Sequence, residues 1–375
     1  MLTSLSLLGL LSLFTLGQCA IAPKPRVSET FTNADIFKPP STYTIPRTLY
    51  ARTVLLNQNH KTSNVILATW ENYSPEPPYF PIFRSTDLGR TWTHISNATD
   101  QVNGWGLRYQ PFLYELPQNI GSFKAGTILL AGNSIPEDLS LTKIDLYAST
   151  DKGLTWKFVS SIASGGRAIP NNGETPVWEP FLLVWNNKLV VYYSDQRDPA
   201  HGQKLVHQVS RDLIHWEDPV DDVAYDTFDF RPGMTTIAKL PNKQFILTYE
   251  FFGAPEASFA VYYRLSADPF AFNSAPGQVV RATDGTVPTS SPYVVWSPVG
   301  GPNGTIAVSA NSNTEIFLNT GLAANGSHWI KTSTPASRSY TRHLRVMPNS
   351  TELMIVGAGV LSGSNNWVNA SVIAL

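Results

Sequence analysis

The chain repeats one unit six times, and this repeat limits its possible folds more than any other feature. Each unit starts with a short apolar run beside a proline or an arginine, at steps of about 50 to 70 residues. The six runs are YARTVLL at Arg52, YQPFLYEL at Pro111, WEPFLLVW at Pro180, FRPGMTTIAKL at Pro232, SSPYVVW at Pro292 and YTRHLRV at Arg342. A sustained period of this kind is typical of propellers and other repeat folds.

A second apolar run follows each first run after a short turn. These runs are NVILATWENY, GTILLAGNS, NKLVVYYSDQRD, NKQFILTYEFFG, GTIAVSANSN and TELMIVGAG. Several begin with Gly-Thr or Asn-Lys, which are favourable residues for a hairpin turn. Because helical periodicity is nearly absent, the sequence predicts an all-β fold.

A third run leads into a recurring motif. Two copies match S-x-D-x-G-x-T-W in full, and three are degenerate; they lie at 85–92, 149–156, 210–216, 266–270 and 325–329. We expect a turn in which Asp accepts backbone N–H groups, Gly adopts a left-handed conformation and Trp packs on the sheet. The motif recurs in units whose inner residues differ, so its predicted role is structural.

Six units of three to four antiparallel strands predict a six-bladed β-propeller. The last unit ends at its third strand, NASVIAL, so its fourth strand must come from elsewhere. The segment around RVSETFTNADIF, near the N-terminus, is the expected donor and would close the ring without a covalent bond. The alternative, a pair of β-sandwiches, fits the regular spacing poorly.

Residues 1–22 are predicted to be a secretory signal peptide, and residues 23–375 a single propeller domain. The apolar stretch LTSLSLLGLLSLFTLG is too short to span a membrane, and Ala20-Ile21-Ala22 fits a cleavage site. The one cysteine, Cys19, lies in this segment, so the mature chain is expected to lack disulfides. Secretion also fits the N-x-S/T glycosylation sequons at Asn72, Asn97, Asn303, Asn325, Asn349 and Asn369.

Charge and motif content argue against several classes of partner. The formal net charge is −1, so nothing indicates binding to nucleic acid or to an anionic membrane. The seven histidines are scattered without metal-ligand spacing, and motifs for nucleotides or serine hydrolases are missing. We therefore predict no cofactor and no metal, and we expect a monomer.

The up-and-down course of blade strands selects the residues at one mouth of the axial channel. First strands start there and second strands end there. The residue before the Pro or Arg of each first strand should occupy an equivalent position at the mouth in all six blades; these residues are Ala51, Gln110, Glu179, Arg231, Ser291 and Thr341. Aromatic faces and charged groups at such a mouth suit carbohydrate. The candidate substrate-binding residues are Arg52, Trp70, Glu71, Gln110, Trp178, Asp195, Arg231, Phe251 and Arg342.

Glycoside hydrolysis needs two carboxyl groups across the scissile bond. Glu179 begins the first strand of the third blade and Glu250 ends the second strand of the fourth, so the two can converge at the axis. Apolar neighbours would raise a carboxyl pKa, as a general acid requires. Glu179 could instead form a structural ion pair with Arg231, and the competing acids are Glu71, Glu174, Asp195 and Asp198.

The motif copies resemble the Asp-boxes of sialidase-type propellers. Within that clan, WEPFLLV, LTYEFFG and SRSYTRHLRV together resemble the fungal exo-1,5-α-L-arabinanases of glycoside hydrolase family 93, over all six blades. The resemblance implies a retaining enzyme that releases arabinobiose from the non-reducing end of linear arabinan. It also implies Glu250 as nucleophile, Glu179 as acid/base and Tyr340 as a hydrogen-bond partner close to the nucleophile.

Two alternatives from other classes remain open at this point. A sialidase needs an arginine triad and a tyrosine nucleophile, which Arg52, Arg231, Arg342 and Tyr340 could nearly supply; against it, YART replaces the usual F-R-I-P. A non-catalytic carbohydrate-binding propeller would usually repeat one pocket in every blade. The mouth residues differ from blade to blade, which favours a single asymmetric site.

Overall fold

The computed structural model of the chain describes residues 30–58, 64–326 and 328–375. The predicted signal peptide and its boundary at residue 22 lie outside these residues. In the described part, no helix is long and apolar enough to cross a membrane. Two short 3-10 helices, Phe272–Ser274 and Ala324–Gly326, lie in loops.

The described residues form six antiparallel sheets of four strands each, which confirms the six-bladed propeller. The first blade contains β2 (Thr48–Leu55), β3 (Ile66–Asn72), β4 (Phe80–Ser85) and β5 (Thr93–Ala98). The second contains β6 (Leu107–Glu115), β7 (Ile128–Ser134), β8 (Thr142–Ser149) and β9 (Lys157–Gly165). The third contains β10 (Val177–Trp185), β11 (Lys188–Asp195), β12 (Lys204–Ser210) and β13 (Val220–Val223). Blades four and five contain β14 (Arg231–Lys239), β15 (Phe245–Phe252), β16 (Ala260–Ser266), β17 (Gln278–Val279); and β18 (Tyr293–Ser297), β19 (Thr305–Ser309), β20 (Ile316–Asn319), β21 (Ile330–Thr332).

The sixth blade contains β22 (His343–Val346), β23 (Glu352–Gly357), β24 (Val368–Ala374) and, as its outermost strand, β1 (Phe31–Phe37). β1 runs antiparallel to β24, with Asp35 opposite Asn369. The Phe37 ring also stacks on Trp70 of the first blade, with 5.3 Å between centroids. The N-terminal strand therefore closes the ring, as the sequence predicts.

The two complete Asp-boxes form the same turn between the third and fourth strands of their blades. Asp87 Oδ1 accepts the N–H groups of Arg90 and Thr91, and its Oδ2 accepts the Thr91 hydroxyl at 2.6 Å. Gly89 has φ +94° and packs against Met354, so a side chain there would clash. Asp151 repeats these bonds in the second blade, in agreement with a structural role.

A left-handed residue lies in the innermost strand of blades one to four, and just before that strand in blades five and six. These residues are Tyr50 (φ 55°), Gln110 (59°), Glu179 (64°), Met234 (61°), Ser291 (50°) and Thr341 (57°), and four of them lie in register shifts of β2, β6, β10 and β14. Bulges of this kind bend a strand and redirect a side chain. They turn towards the channel mouth side chains that would point elsewhere on a regular strand.

The equivalence of the six mouth positions that the sequence predicts is wrong in two blades. Tyr50 takes the place expected for Ala51, and Met234 takes the place expected for Arg231. In both blades the Pro or Arg of the first strand is not the neighbour of the left-handed residue. Ala51 separates Tyr50 from Arg52, and Gly233 separates Pro232 from Met234. A proline or arginine therefore marks the strand without marking its bulge.

Ring closure by β1 can be tested by truncation. A chain that begins at residue 38 loses β1, including the buried Ile36 and the stacking of Phe37 on Trp70. We expect a fall of at least about 3 kcal/mol in the free energy of unfolding, because the buried Ile36, the half-buried Phe37 and a strand pairing are lost. Urea denaturation measures this, with a chain that begins at residue 30 as the control. Equal midpoints for the two chains would contradict the closure.

Candidate active site

A pocket of about 500 Å³ lies at the channel mouth where the left-handed residues cluster. Its walls come from all six blades or the loops between them. The lining residues are Leu49, Glu71, Tyr73, Tyr109, Gln110, Ala168, Pro170, Trp178, Glu179, Gln203, Arg231, Glu250, Phe259, Ser290, Tyr340 and Leu361. It combines three carboxyl groups with several aromatic rings, the chemistry expected of a carbohydrate site.

Glu179 enters the pocket from the bulge of β10. Its Oε2 accepts two hydrogen bonds, from Ser194 Oγ at 2.7 Å and from the Met234 backbone N–H at 2.7 Å. Its own backbone N–H donates to Gln110 Oε1 at 3.0 Å. Both the main chain and the carboxylate of Glu179 are therefore held, one by the preceding blade and the other by the following blade.

Glu250 enters from the end of β15, in the fourth blade. Its Oε2 accepts the backbone N–H of Ser291, the left-handed residue of the fifth blade, at 2.8 Å. The nearby Ser290 side chain also lowers the pKa of this carboxyl group. The arrangement matches that of Glu179, in which the left-handed residue of the next blade also supplies the N–H donor.

Gly233 lies between the two carboxylates. A Cβ atom built on this glycine would stand 3.4 Å from Glu250 Oε1 and 3.6 Å from Glu179 Oε2. These two oxygens are therefore separated by no more than the sum of the two distances. Because Gly233 has no side chain, this space is left to the two carboxylates and to the Gln203 amide, whose Nε2 lies 2.9 Å from the same point.

Burial controls the protonation of both carboxyl groups. Desolvation and the nearby charge of Glu179 together raise the pKa of Glu250 to about 7, against the hydrogen bonds from Ser291 and Ser290. Desolvation also raises the pKa of Glu179, against the hydrogen bonds from Ser194 and Met234. Two coupled carboxyl groups of this kind share one proton over an interval of pH.

Glu71 is a third carboxyl group in the pocket. Its Oε1 accepts the backbone N–H of the left-handed Gln110 at 2.9 Å, and its Oε2 accepts the Tyr73 hydroxyl at 2.9 Å. Burial raises its pKa to about 7 in spite of these bonds. Since Gln110 in turn accepts the N–H of Glu179, Glu71 is connected to Glu179 through one side chain.

Tyr340 lies beside both catalytic candidates. Burial raises the pKa of its phenol, and the charges of Glu250 and Glu179 raise it further. Its ring packs edge-on against Tyr50, with 6.2 Å between centroids, and its hydroxyl contacts Met234 Sδ at 3.8 Å. The expected hydrogen bond between Tyr340 and the nucleophile stays a prediction.

Four of the nine predicted substrate-binding residues line the pocket: Glu71, Gln110, Trp178 and Arg231. The Trp178 indole donates to Gln196 Oε1 at 2.9 Å, which fixes the ring in the wall. The Arg231 guanidinium donates to Gln196 and Gln203 rather than forming the ion pair with Glu179 that was the structural alternative. It remains close enough to lower the pKa of both catalytic candidates.

Trp70 and Phe251 do not line the pocket, contrary to the prediction. Successive side chains of a strand point to opposite faces, so Glu71 and Glu250 reach the pocket while their neighbours turn away. Trp70 is fully buried against Phe83, and Phe251 is buried against Tyr225. The prediction included Trp70 together with Glu71 and Phe251 together with Glu250, although neighbours on a strand point to opposite faces.

Arg52, Asp195 and Arg342 are also buried outside the pocket. Arg52 lies over the Tyr50 ring, 4.1 Å from its centroid. Asp195 forms an ion pair with Arg197 at 2.7 Å. Arg342 donates to the carbonyl groups of Asn313 and Glu315 and to the Thr334 hydroxyl.

The sequence prediction missed several lining residues for a topological reason. Gln203 directly precedes β12 and Phe259 directly precedes β16, and third strands start at the same mouth where second strands end. Tyr73 follows β3, and Ala168 and Pro170 precede β10. Including the loops before third strands and before each new blade would have found most of them.

Among the described residues, no group of three or more His, Cys, Asp or Glu side chains could hold a metal ion. The presence of Glu179 and Glu250 in one pocket points to chemistry carried out by carboxyl groups. A buried pair that shares one proton can supply an acid and a nucleophile at the same time.

The raised pKa of Glu250 predicts a pH-dependent effect on stability. A folded-state pKa above the unfolded value of 4.5 contributes stability that is present below about pH 4.5 and lost as pH rises through about 7. Glu250→Gln should therefore raise the free energy of unfolding at pH 8 by up to about 3 kcal/mol and change it little at pH 4.

Chemical denaturation at both pH values measures this difference, with the exposed Glu137→Gln as the matched control. The control variant should follow the wild type at both pH values. A Glu250→Gln variant that is less stable than the wild type at pH 8 would show that the buried charge is fully compensated.

The chain is similar to several solved structures. It is 54% identical to a Penicillium chrysogenum alpha-L-arabinanase complexed with arabinobiose, over 92% of this chain and 98% of that one, with a TM-score of 0.88. It is 50% identical to the GH93 alpha-L-arabinofuranosidase of Fusarium graminearum with arabinobiose, with the same coverage and a TM-score of 0.89.

A more distant structure, the NanB sialidase from Streptococcus pneumoniae, is 10% identical with a TM-score of 0.56 over 91% of this chain and 70% of that one, and shares the fold. No protein-family model and no curated protein sequence matches the chain. Identity of 50–54% over nearly the full length of two such enzymes confirms the resemblance seen in the sequence. The chain belongs to glycoside hydrolase family 93.

Proposed function

We propose that the protein is an exo-acting arabinanase that cleaves α-1,5-linked L-arabinan from the non-reducing end and releases arabinobiose. The observation that carries the proposal is the convergence of Glu179 and Glu250 on one pocket, in a chain at least 50% identical to two enzymes whose structures hold arabinobiose. The substrate is accordingly an oligosaccharide or polysaccharide rich in arabinose.

The size and walls of the pocket support exo action. A volume of about 500 Å³ has room for a short oligosaccharide end rather than for a chain passing through. Tyr73, in the loop after β3, forms part of the wall, and Leu361 contributes from the sixth blade. A chain end can enter such a pocket, while the remainder of the polymer stays outside the mouth.

The reaction proceeds by double displacement. In the first step Glu250 attacks the anomeric carbon, the glycosidic C–O bond breaks, and Glu179 gives its proton to the departing oxygen. In the second step Glu179 takes a proton from water, whose oxygen attacks the anomeric carbon and displaces Glu250. The configuration at the anomeric carbon is inverted twice and therefore retained.

The geometry of the pair is compatible with this mechanism. Retention needs carboxyl groups about 5–5.5 Å apart, whereas inversion needs about 6.5–9.5 Å. Glu250 Oε1 and Glu179 Oε2 lie 3.4 Å and 3.6 Å from the same point beside Gly233, so the distance between these two oxygens is below most of the range that inversion needs. The first step needs the proton on Glu179 and the charge on Glu250, which is one of the two arrangements open to a coupled pair that holds a single proton.

The positions of the arginines argue against a sialidase. Of Arg52, Arg231 and Arg342, only Arg231 lines the pocket, so no triad is assembled for a sugar carboxylate. Arg342 is fully buried, and its guanidinium binds backbone carbonyls. A binding module without catalysis would have little use for a pair of carboxyl groups with raised pKa values in one pocket.

We further propose that the protein is secreted and acts as a monomer. The predicted signal peptide at residues 1–22 supports secretion, and a pocket completed within one chain supports the monomer. Exposed Asn97 can carry a glycan in the folded protein. Asn72 and Asn369 are 3% and 5% exposed, so glycosylation of the folded chain at these two sequons is not expected.

The roles of the two carboxyl groups are tested by Glu179→Gln and Glu250→Ala, assayed for arabinobiose release from linear arabinan. Each variant should lose about 10²–10⁴-fold in kcat/KM, because each removes one of the two groups that act on the scissile bond. Azide with an aryl arabinobioside distinguishes the roles. The acid/base variant should give a glycosyl azide of retained configuration, and the nucleophile variant one of inverted configuration.

Asp195→Asn is the matched control, since Asp195, like Glu250, is an acidic residue near the end of a second strand, but it pairs with Arg197 outside the pocket. It should keep its kcat/KM. Full activity in both glutamate variants would contradict the assignment of the site, and exchanged azide products would reverse the two roles.

A further inference from the structure

An exposed pair of aromatic rings, Phe252 and Phe259, stands at the rim of the pocket. Phe259 lines the pocket and is 37% exposed, and Phe252 is 39% exposed. Their ring centroids are 5.1 Å apart, with planes tilted by 43°. Most large apolar side chains of the propeller are buried between strands, so two adjacent exposed rings beside a polar pocket call for a ligand.

Strand alternation places this pair relative to the catalytic candidate Glu250. Glu250 and Phe252 are two residues apart on β15, so their side chains point to the same side of the sheet. The rise of a strand puts Phe252 about 6.6 Å further outward along β15. Phe259 lies on the other arm of the hairpin, next to Ala260, which pairs with Phe251. The rings therefore continue the site outward from Glu250.

The backbone holds Phe259 in this position at a conformational cost. Phe259 has φ +60°, a left-handed conformation that a bulky residue rarely adopts. Its carbonyl accepts the N–H of Ser290 at 2.8 Å, and the neighbouring Ser291 donates to Glu250. Strained residues of this kind are found where a fold positions a functional group. Here the strain keeps a phenyl ring in solvent on a backbone tied to the catalytic site.

We propose that Phe252 and Phe259 form a stacking platform for the arabinofuranose residues of the outgoing polymer, on the leaving-group side of the scissile bond. The inference rests on the proposed function and extends it. An exo enzyme encloses the chain end in its pocket, so the remaining sugars leave through the mouth and cross the rim. Their C–H faces are apolar and pack on aromatic rings without needing a defined hydroxyl partner.

The test separates binding inside the pocket from binding at the rim. Phe259→Ala should lower kcat/KM on linear arabinan about three- to tenfold. It should leave unchanged the inhibition constant of arabinobiose, the product that fills the enclosed part of the site. Phe259→Tyr, which keeps an aromatic face, should restore activity. Phe228→Ala is the matched control, because Phe228 is 41% exposed but does not line the pocket.

The dependence on chain length gives a second reading. For the wild type, kcat/KM should rise from arabinotriose to longer arabino-oligosaccharides as more sugars reach the platform, and Phe259→Ala should flatten this rise. Phe259→Gly should show the same kinetics with a melting temperature no lower than that of Phe259→Ala, because glycine accepts a positive φ.

Two results would overturn the platform: unchanged activity of Phe259→Ala on linear arabinan, or an equal weakening of arabinobiose inhibition, which would place the ring inside the product site. If the wild-type protein does not act on linear arabinan, that result would instead contradict the proposed function. The polysaccharide proposed to bind the platform would then be wrong as well.

Discussion

The site depends on one repeated contact, in which the backbone N–H of a left-handed residue in one blade donates to a side chain of the preceding blade. Gln110 donates to Glu71, Glu179 to Gln110, Met234 to Glu179 and Ser291 to Glu250. Each of these left-handed residues therefore leaves its backbone N–H free of its own sheet and presents it to the neighbouring blade. A propeller has few covalent constraints between blades, and these bonds fix the relative positions of adjacent blades where the chemistry occurs.

The same contact limits the electrostatic cost of the site. Three carboxyl groups share one small pocket, and burial raises the pKa of Glu71, Glu179 and Glu250. Backbone donors lower these pKa values, because they favour the ionised form. The balance leaves the pKa values of Glu71 and Glu250 at about 7, so the ionised form of Glu250 that the nucleophile requires becomes populated as the pH rises through neutrality. The protein thus gives up stability at neutral pH to hold a reactive pair.

Much of the fold could be predicted from the sequence because its signals are local or periodic. The six apolar runs, the hairpin turns and the Asp-boxes each depend on a few neighbouring residues, and ring closure followed from the missing fourth strand. The site was predicted less completely. Glu179 and Glu250 were found because strand ends mark the mouth, whereas Trp70 and Phe251 were included only because alternation was not applied. Phe259 was missed because it precedes a third strand.

The sequence by itself determined the number of blades, the strand that closes the ring, the family and the two carboxyl groups, since repetition, turn chemistry and strand order are written along the chain. The tertiary structure decided which of the charged and aromatic residues at the mouth share one pocket. That choice depends on the hand of each bulge and on which face of a strand meets its neighbour. Met234 stands in the place expected for Arg231, and Arg342 binds the carbonyl groups of Asn313 and Glu315 outside the pocket. Both outcomes depend on how separate segments of the chain meet, and no local pattern encodes them.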